Sequence, residues 1–281
     1  MNNKDFIVGE KFIEFCEYKF FPPNKKDFNP FKTHLPPEDK KGIFVVYTHI
    51  HLVPRFFSII KNYKGKFILV THNSDHSLTK EIFNNKPSNI IKWLSQNVEV
   101  DHPDIISLPI GLENSRWWRK IDKKNKMINK LKEEKNYTNL LYINHNIRTN
   151  PAERNAPYTL FNNKKWVTLQ RGSNGQTFDG YLNNLYRHKF ILCPAGNGVD
   201  THRLWETLYM KSIPIVKDHV NTNFYKDLPI LIVKTWKEIN EEFLHQKFNE
   251  IKGNIYNIEK LKQTYWNVFI TEISNTIHSY T

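Results

Sequence analysis

Short apolar runs alternate with amphipathic stretches along most of the chain. The apolar runs are rich in isoleucine, leucine and valine, which is typical of buried strands, and the stretches between them carry apolar residues at helical spacing. This alternation predicts an α/β fold with parallel sheets. The predicted strands are residues 42–47, 66–70, 98–100, 105–109, 139–143, 166–169, 190–193, 213–216 and 230–233. The predicted helices are residues 6–20, 52–62, 77–83, 90–95, 151–161, 178–186, a helix from 201, one near 224, and 236–280 throughout.

A polar stretch divides this pattern into two halves. Residues 119–135 (RKIDKKNKMINKLKEEK) are almost wholly charged or polar and have only weak helical periodicity. We interpret them as an interdomain connection. The sequence therefore predicts a first domain at 1–135 and a second that starts at 136.

The stretch 186–217 (YRHKFILCPAGNGVDTHRLWETLYMKSIPIVK) is the most informative part of the chain. It predicts a strand, a glycine loop, a helix and a second strand, which together form a parallel βαβ unit. The loop at residues 195–198 can adopt backbone angles that other residues avoid, and the concentration of glycines between Gly172 and Gly198 predicts backbone packed close to a ligand or to itself. Asp200 or Thr201 is expected to cap the helix. The stripe expected to be buried consists of Leu204, Trp205, Leu208 and Tyr209.

The loop before this helix is a predicted anion site. A helix N-terminus offers free N–H groups and a positive dipole end, which suit phosphate. Arg203 lies in the first turn, near the expected position of a diphosphate, and Glu206 lies one turn on, where it can accept hydrogen bonds from ribose hydroxyls. The alternative is an ordinary surface pair between Arg203 and Glu206 at i,i+3 spacing.

Two more arginines follow the first strand of the second half. Arg148 and Arg154 begin the strand–helix loop there, and arginine binds phosphate in a bidentate manner. Alternatively, Arg154 pairs with Glu153 or with solvent.

Residues 193–216 (CPAGNGVDTHRLWETLYMKSIPIV) resemble the C-terminal motif of exostosin-like glycosyltransferases. That motif has Cys-Pro-x-Gly-Asn, then Asp-Thr-x-Arg-x-Trp-Glu, then Ile-Pro-Val. The rest of the chain resembles the family only loosely. A similar strand–loop–helix–strand occurs in fucosyltransferases, which have Thr-Glu-Lys in place of Thr201-His202-Arg203.

The resemblance implies a GT-B fold, with two Rossmann-like domains that have parallel sheets and an interdomain cleft. Residues 1–135 would form the acceptor-side domain, 136–262 the nucleotide-sugar-binding domain, and 263–281 a helix that crosses back. The implied activity is sugar transfer from a UDP-sugar, such as UDP-xylose, UDP-galactose or UDP-glucuronate, to a hydroxyl of a glycan acceptor, by inversion. A GDP-sugar is the alternative donor. The expected donor-binding residues are Arg148, Arg154, Gly196, Asn197, Gly198, Thr201, His202, Arg203 and Glu206.

The chain is strongly basic, with a formal net charge of +13 over 281 residues. Such a charge favours anionic partners, among them sugar nucleotides, acidic glycans, membrane surfaces and nucleic acid. A non-catalytic basic module that binds nucleic acid or acidic glycan is therefore the rival hypothesis. It does not account for the glycine loop and the Arg-x-x-Glu helix, so no nucleic-acid partner is expected. A phosphotransferase ranks lower because the chain has no GxxxxGK[ST] loop.

The two cysteines, Cys16 and Cys193, are not expected to pair, and this cysteine usage fits a reducing compartment. The sequence shows no apolar leader segment at Met1 and no apolar run long enough to span a membrane. We expect a soluble, cytoplasmic protein.

No metal or other cofactor is expected. His49 and His51 have the spacing of zinc ligands, but no cysteine or Glu-x-x-His supports them. The chain has no Asp-x-Asp, the pair with which other transferases hold a divalent ion on the diphosphate. Arginine, lysine and a helix dipole would neutralise the diphosphate instead.

The loop at residues 71–76 (THNSDH) holds the candidate general base. Inverting transfer needs a base to deprotonate the acceptor hydroxyl. We rank Asp75 first and His72 second, with His76 as a further option. The alternative is an ordinary turn, since Asn-Ser-Asp is a turn sequence.

Overall fold

Two parallel sheets, each five-stranded, organise the computed structural model. The model describes Asn2 and residues 4–22, 32–115, 122–171 and 176–279. Contacts divide the chain into two units, one for each sheet. The first-sheet unit is Ile7–Ile110 with Gln263–Thr281, and the second-sheet unit is Met1–Phe6 with Gly111–Lys262. The fold class predicted from the sequence is confirmed, and the two parallel sheets are consistent with a two-domain Rossmann-like GT-B arrangement.

The strands of the first sheet lie in chain order, β1-β2-β3-β4-β5, and all pair in parallel. Parallel strands with both faces covered are apolar along their whole length, and all of β3 after its first residue is buried. Helix α10 packs against β2 and α1, with Trp266 and Ile270 buried. The elements of this unit are α1 Gly9–Phe15, β1 Tyr18–Lys19, β2 Ile43–Thr48, α2 Val53–Ile60, β3 Lys66–Thr71, α3 Lys80–Asn84, β4 Ile90–Ser95, β5 Ile105–Ser107 and α10 Gln263–Ser279.

The second sheet has the strand order β10-β9-β8-β6-β7, again all parallel. Its core packs Leu141 and Ile143 of β6 against Phe190, Leu192 and neighbouring residues. The elements of this unit are α4 Lys123–Lys130, β6 Asn139–His145, α5 Pro151–Leu160, β7 Val167–Arg171, α6 Phe178–Arg187, β8 His188–Leu192, α7 His202–Tyr209, β9 Ile213–Lys217, α8 Val220–Asn223, β10 Leu231–Val233 and α9 Glu241–Gly253.

Several predicted elements were wrong. Residues 90–95 form the strand β4 and not a helix, because β4 lies between β3 and β5 and its apolar run therefore lacks a clear period. Residues 98–100 form no strand, and only Val98 makes a single bridge, to Leu78. The first helix is shorter than 6–20. The 236–280 stretch is interrupted after α9, where Asn254 adopts extended backbone.

The predicted domain limits, 1–135, 136–262 and 263–281, stay predictions. Contacts group residues 111–135 with the second sheet, although the sequence analysis assigned them to the first domain. Within the supposed connection, Asp122 accepts a hydrogen bond from the Asn125 amide and caps α4. Residues 119–121 lie outside the described ranges.

We predict that this fold loses stability in acid through His188. The ring is fully buried, donates from Nδ1 to the Asn184 carbonyl (2.7 Å) and accepts at Nε2 from the Thr168 hydroxyl (2.7 Å). Burial lowers its pKa from 6.5 to about 4. Between these values the unfolded chain binds more protons, so the free energy of unfolding falls as the pH drops from 6.5 towards 4, by roughly 3 kcal/mol for this residue.

Urea unfolding of the wild type and of His188→Gln between pH 7.5 and 4.5 measures the effect. The slope of stability against pH should be smaller in the variant by up to about one proton. Identical slopes would contradict this account.

Candidate functional site

The strand order of the second sheet reverses between β6 and β8. From β6 the chain goes to β7 on one side and then returns to β8 on the other side. In open parallel sheets, ligands bind beyond the carboxyl ends of the strands at such a switch point. The described strands of the first sheet have no reversal. The loops after β6 and β8 are therefore the expected ligand site.

Side chains from the loop after β6 bind the backbone of the loop after β8. Arg154 donates from Nε to the Ala195 carbonyl (2.8 Å) and from Nη1 to the Asn146 carbonyl (3.0 Å). Asn150 donates from Nδ2 to the Gly196 carbonyl (3.0 Å). The structure thus brings together the predicted residues Arg154 and Gly196.

Gly196 is required for a close approach. A Cβ atom there would lie 2.8 Å from Nη2 of Arg154, whose guanidinium is already held by two carbonyl groups. Gly196 and Gly198 do not use the left-handed region that is open to glycine: among the described glycines only Gly42 and Gly111 have positive φ.

One of the two predicted residues, Thr201, is at the N-cap of α7, but its side chain makes no capping bond. The Asp200 carboxylate instead accepts from the Trp205 indole N–H at 2.9 and 3.0 Å. His202 donates from Nδ1 to the Gly111 carbonyl (2.8 Å), which fixes the start of α7 to a turn of the same unit.

Arg203 and Glu206 do not form the surface pair that was the alternative. Both side chains instead contact the hydroxyl of Tyr181 on α6. Tyr181 donates to Glu206 Oε2 (2.7 Å), and Arg203 Nη1 lies 3.5 Å from the same hydroxyl. Glu206 is buried, with 7% exposed, whereas Arg203 is partly buried.

Tyr181 keeps its proton in this arrangement. Burial raises the pKa of the phenol well above its usual value, the Arg203 charge lowers it in part, and the Glu206 carboxylate raises it further. The phenol is therefore a donor, and Glu206 Oε2 accepts its hydrogen bond.

The site holds two guanidinium groups, and the Glu206 carboxylate acts electrostatically on one of them, Arg203, without forming an ion pair. Neither Arg154 nor Arg203 forms an ion pair with a carboxylate among the residues that the structure describes. Glu153, the predicted alternative partner of Arg154, pairs with Lys217 at 2.8 Å. Burial and then the charge of Arg203 lower the pKa of the Arg154 guanidinium.

His145, at the end of β6, lies beside Arg154 and has a neutral ring. It donates from Nε2 to the Arg154 carbonyl (2.9 Å), and its buried Nδ1 has no hydrogen-bond partner in the described chain. Burial, with a smaller contribution from Arg203 and Arg154, lowers its pKa to about 4.

A polar network on the same sheet was missed by sequence reasoning. The Asn144 amide donates to the Tyr142 hydroxyl (2.6 Å) and to Gln176 Oε1 (2.7 Å), and the Tyr142 hydroxyl donates to Gln170 Oε1 (2.9 Å). Asn144 and Tyr142 alternate along β6 with the core residues Leu141 and Ile143. The alternation of polar and apolar side chains along β6 was the available signal. The sequence does not show which residues lie opposite Tyr142 and Asn144, so the network could not be predicted from it.

Three other predicted residues lie at the edge of the site. Arg148 is exposed and follows β6, and its side chain has no partner among the described residues. Asn197 is exposed and Gly198 is partly exposed in the loop after β8.

The predicted base residues belong to the first-sheet unit, in the loop after β3. His72 is buried, donates from Nε2 to the Pro109 carbonyl (3.0 Å) and accepts at Nδ1 from the Asn73 amide (2.8 Å). Both ring nitrogens are therefore engaged. Asp75 and His76 are exposed.

Across the described ranges, no group of three or more His, Cys, Asp or Glu side chains could hold a metal ion. Cys16 and Cys193 are buried free thiols.

We predict that Gly196→Ala lowers the free energy of unfolding by about 1–3 kcal/mol, because the new methyl group displaces the Arg154 guanidinium. Urea unfolding measures this, with Gly253→Ala as the matched control. A Cβ at Gly253 meets nothing within 4 Å, and alanine there favours α9 by up to about 1 kcal/mol.

Arg154→Ala in the Gly196→Ala background gives a further test. The cost of Gly196→Ala should be smaller there, since the clash has gone. Strictly additive effects would show that the clash is not the cause.

Residues 150–277 match the family model of the RXYLT1 C-terminal domain, which is a xylosyltransferase-related family. No curated protein matches the chain. The described residues contain no helix that is both long and apolar enough to span a membrane. The matched segment includes α5, the loop after β8 and α7, and hence Arg154, Gly196, Arg203 and Glu206. The match indicates a glycosyltransferase, with donor and acceptor substrates.

Proposed function

We propose that this chain transfers a sugar from a UDP-sugar to a hydroxyl of a glycan acceptor, with inversion and without a metal. One observation carries the proposal. Arg154 and Arg203, two partly buried guanidinium groups, lie at the switch point beside a glycine loop, and neither forms an ion pair with a carboxylate in the described chain. A diphosphate would supply an anionic partner to both guanidinium groups.

The site residues suggest a separate role for each part of a nucleotide. The N-terminus of α7 and the two arginines bind the diphosphate. Nη2 of Arg154, which makes no bond among the described residues, is directed to the phosphate side, and the exposed Arg148 assists it. Gly196, Asn197 and Gly198 let the backbone approach the ligand, while Thr201 and His202 shape the start of α7.

Glu206 binds the ribose in this proposal. Its carboxylate holds one hydrogen bond from Tyr181 and retains lone pairs for hydroxyl groups. The donor would be a UDP-sugar, as the resemblance of residues 193–216 to exostosin-like enzymes implies. The xylosyltransferase-related match makes UDP-xylose the first donor to test.

Asp75 acts as the general base in this proposal, and His72 positions its loop. Asp75 is exposed in the loop after β3, whereas the two nitrogens of His72 are occupied by backbone groups.

We expect Arg203→Ala to weaken UDP binding by about ten- to a hundredfold, since a hydrogen bond to a charged group contributes roughly 1.5–3 kcal/mol. Uridine, which lacks phosphates, should lose much less. Glu206→Gln should weaken uridine and UDP alike. Calorimetric titration with and without EDTA measures these constants, and GDP tests the alternative donor.

Arg187→Ala is the matched control for this experiment, because Arg187 is exposed on α6 and outside the proposed site. Unchanged UDP affinity in Arg203→Ala and Glu206→Gln would refute the assigned site. Stabilisation of the protein by duplex DNA and by no nucleotide would favour the basic binding module instead.

We expect Asp75→Asn to lower the transfer rate by about 10²–10⁴-fold while leaving the UDP dissociation constant unchanged, because a general base contributes about that much. His72→Gln should mainly lower the melting temperature. Initial rates with saturating donor measure the effect. Wild-type transfer by Asp75→Asn, with an inactive but folded His72→Gln, would assign the base to the histidine.

A further inference from the structure

An apolar cavity of about 420 Å³ lies within the second-sheet unit, away from the site described above. Ser212 and Ile213 line it at the amino end of β9, whereas the proposed donor loops follow the carboxyl ends of the strands. Its walls are mainly apolar, with Leu208, Phe248 and Ile251 among the residues that form them. The proposed function gives this cavity no role.

Lysine side chains line this apolar cavity. Lys211 and Lys252 have no carboxylate partner among the residues that the structure describes, whereas Lys262, a third lining lysine, pairs with Glu259 at 2.7 Å. An apolar cavity with unneutralised ammonium groups complements a molecule that is both apolar and anionic.

Two isoleucines project beside the cavity. Ile255 is fully exposed on the loop after α9, and Ile258, which lines the cavity, is 60% exposed. Ile255 does not line the cavity, so a ligand that only filled the cavity would leave Ile255 in water. The apolar interior of a lipid bilayer is wide enough to cover both Ile255 and the cavity.

Lys211 has a backbone conformation that favours glycine. It follows the C-cap Met210 of α7 with φ = 57°, in the position where helices usually end with glycine in the left-handed region. This strained position is at the wall of the cavity, because Lys211 is one of its lining residues.

We propose that this surface, defined by Lys211, Lys252, Ile255, Ile258 and the cavity, docks on a lipid bilayer with anionic headgroups. The two isoleucines enter the boundary between headgroups and acyl chains, the two lysines contact lipid phosphates, and the cavity accepts part of an acyl chain. The net charge of +13 strengthens the attraction to such a surface.

Sedimentation with vesicles tests the proposal. The protein should bind phosphatidylcholine vesicles that contain about one third phosphatidylglycerol, and bind pure phosphatidylcholine weakly. Ile255→Ser and Ile258→Ser should each lower the partition coefficient about tenfold. Lys252→Gln should lower it about fivefold. The matched controls are Val268→Ser and Lys237→Gln, which change exposed residues elsewhere and should leave partitioning unchanged.

Lys211→Gly separates binding from stability. Glycine relieves the left-handed backbone, so the melting temperature should rise by about 2–4 °C. Loss of the ammonium should nevertheless lower vesicle binding several-fold. A merely structural lysine would give the first change without the second.

Three results would overturn the proposal. They are no binding to anionic vesicles, equal losses in the control variants, and full binding by both Lys211→Gly and Ile255→Ser. Capture of an acidic amphipathic peptide by the same residues, without vesicle binding, would assign the surface to a protein partner instead.

Discussion

The reversal of strand order between β6 and β8 determines where this chain holds its charged side chains. Crossover connections in parallel sheets are right-handed, so a chain that runs from β6 to β7 and back to β8 leaves its two flanking loops diverging from a common crevice. Here Arg154 and Asn150 reach from one loop to the backbone of the other. These hydrogen bonds join the two sides of the crevice at its base.

These hydrogen bonds fix the charge without neutralising it. A carboxylate partner would hold Arg154 in place and cancel its field, whereas the carbonyl groups of Asn146 and Ala195 orient the guanidinium and leave its charge intact. Arg203 is placed in the same way by a neutral phenol. An anion bound at the proposed site would meet guanidinium groups that are already oriented, so little reorganisation would be needed on binding.

The sequence was sufficient for the parts of this site that are local in the chain. Residues 186–217 predict their own strand, loop, helix and strand, and the spacing of Arg203 and Glu206 sets both on α7. It was not sufficient for contacts across the fold. The sequence of α7 allowed a surface ion pair between Arg203 and Glu206. In the structure Glu206 is buried and accepts a hydrogen bond from Tyr181, and nothing within α7 indicates Tyr181 as its partner. The glycine concentration predicted a close approach of the backbone near Gly196, but not its partner, because Arg154 lies about 40 residues earlier in the chain.

The same limit explains the errors in secondary structure. A strand buried on both faces, such as β4, has no alternation, and a short apolar run cannot then be distinguished from a helix. In β6 the alternation is present, but Tyr142 and Asn144 look like interruptions of a core strand until Gln170 and Gln176 are seen beside them.

The two ends of the second sheet carry different chemistry, and the strands between them set the distance. β9 spans Ile213–Lys217, and at about 3.3 Å per residue such a strand extends about 16 Å. Ile213 lines the apolar cavity at one end, while Lys217 at the other end pairs with Glu153 beside Arg154. If the cavity end rests on a bilayer with β9 along the bilayer normal, the proposed nucleotide-binding loops lie about a strand length above the headgroups. At that height the anionic surface attracts the protein as a whole but, beyond a Debye length of about 8 Å, competes little with a diphosphate for the two arginines.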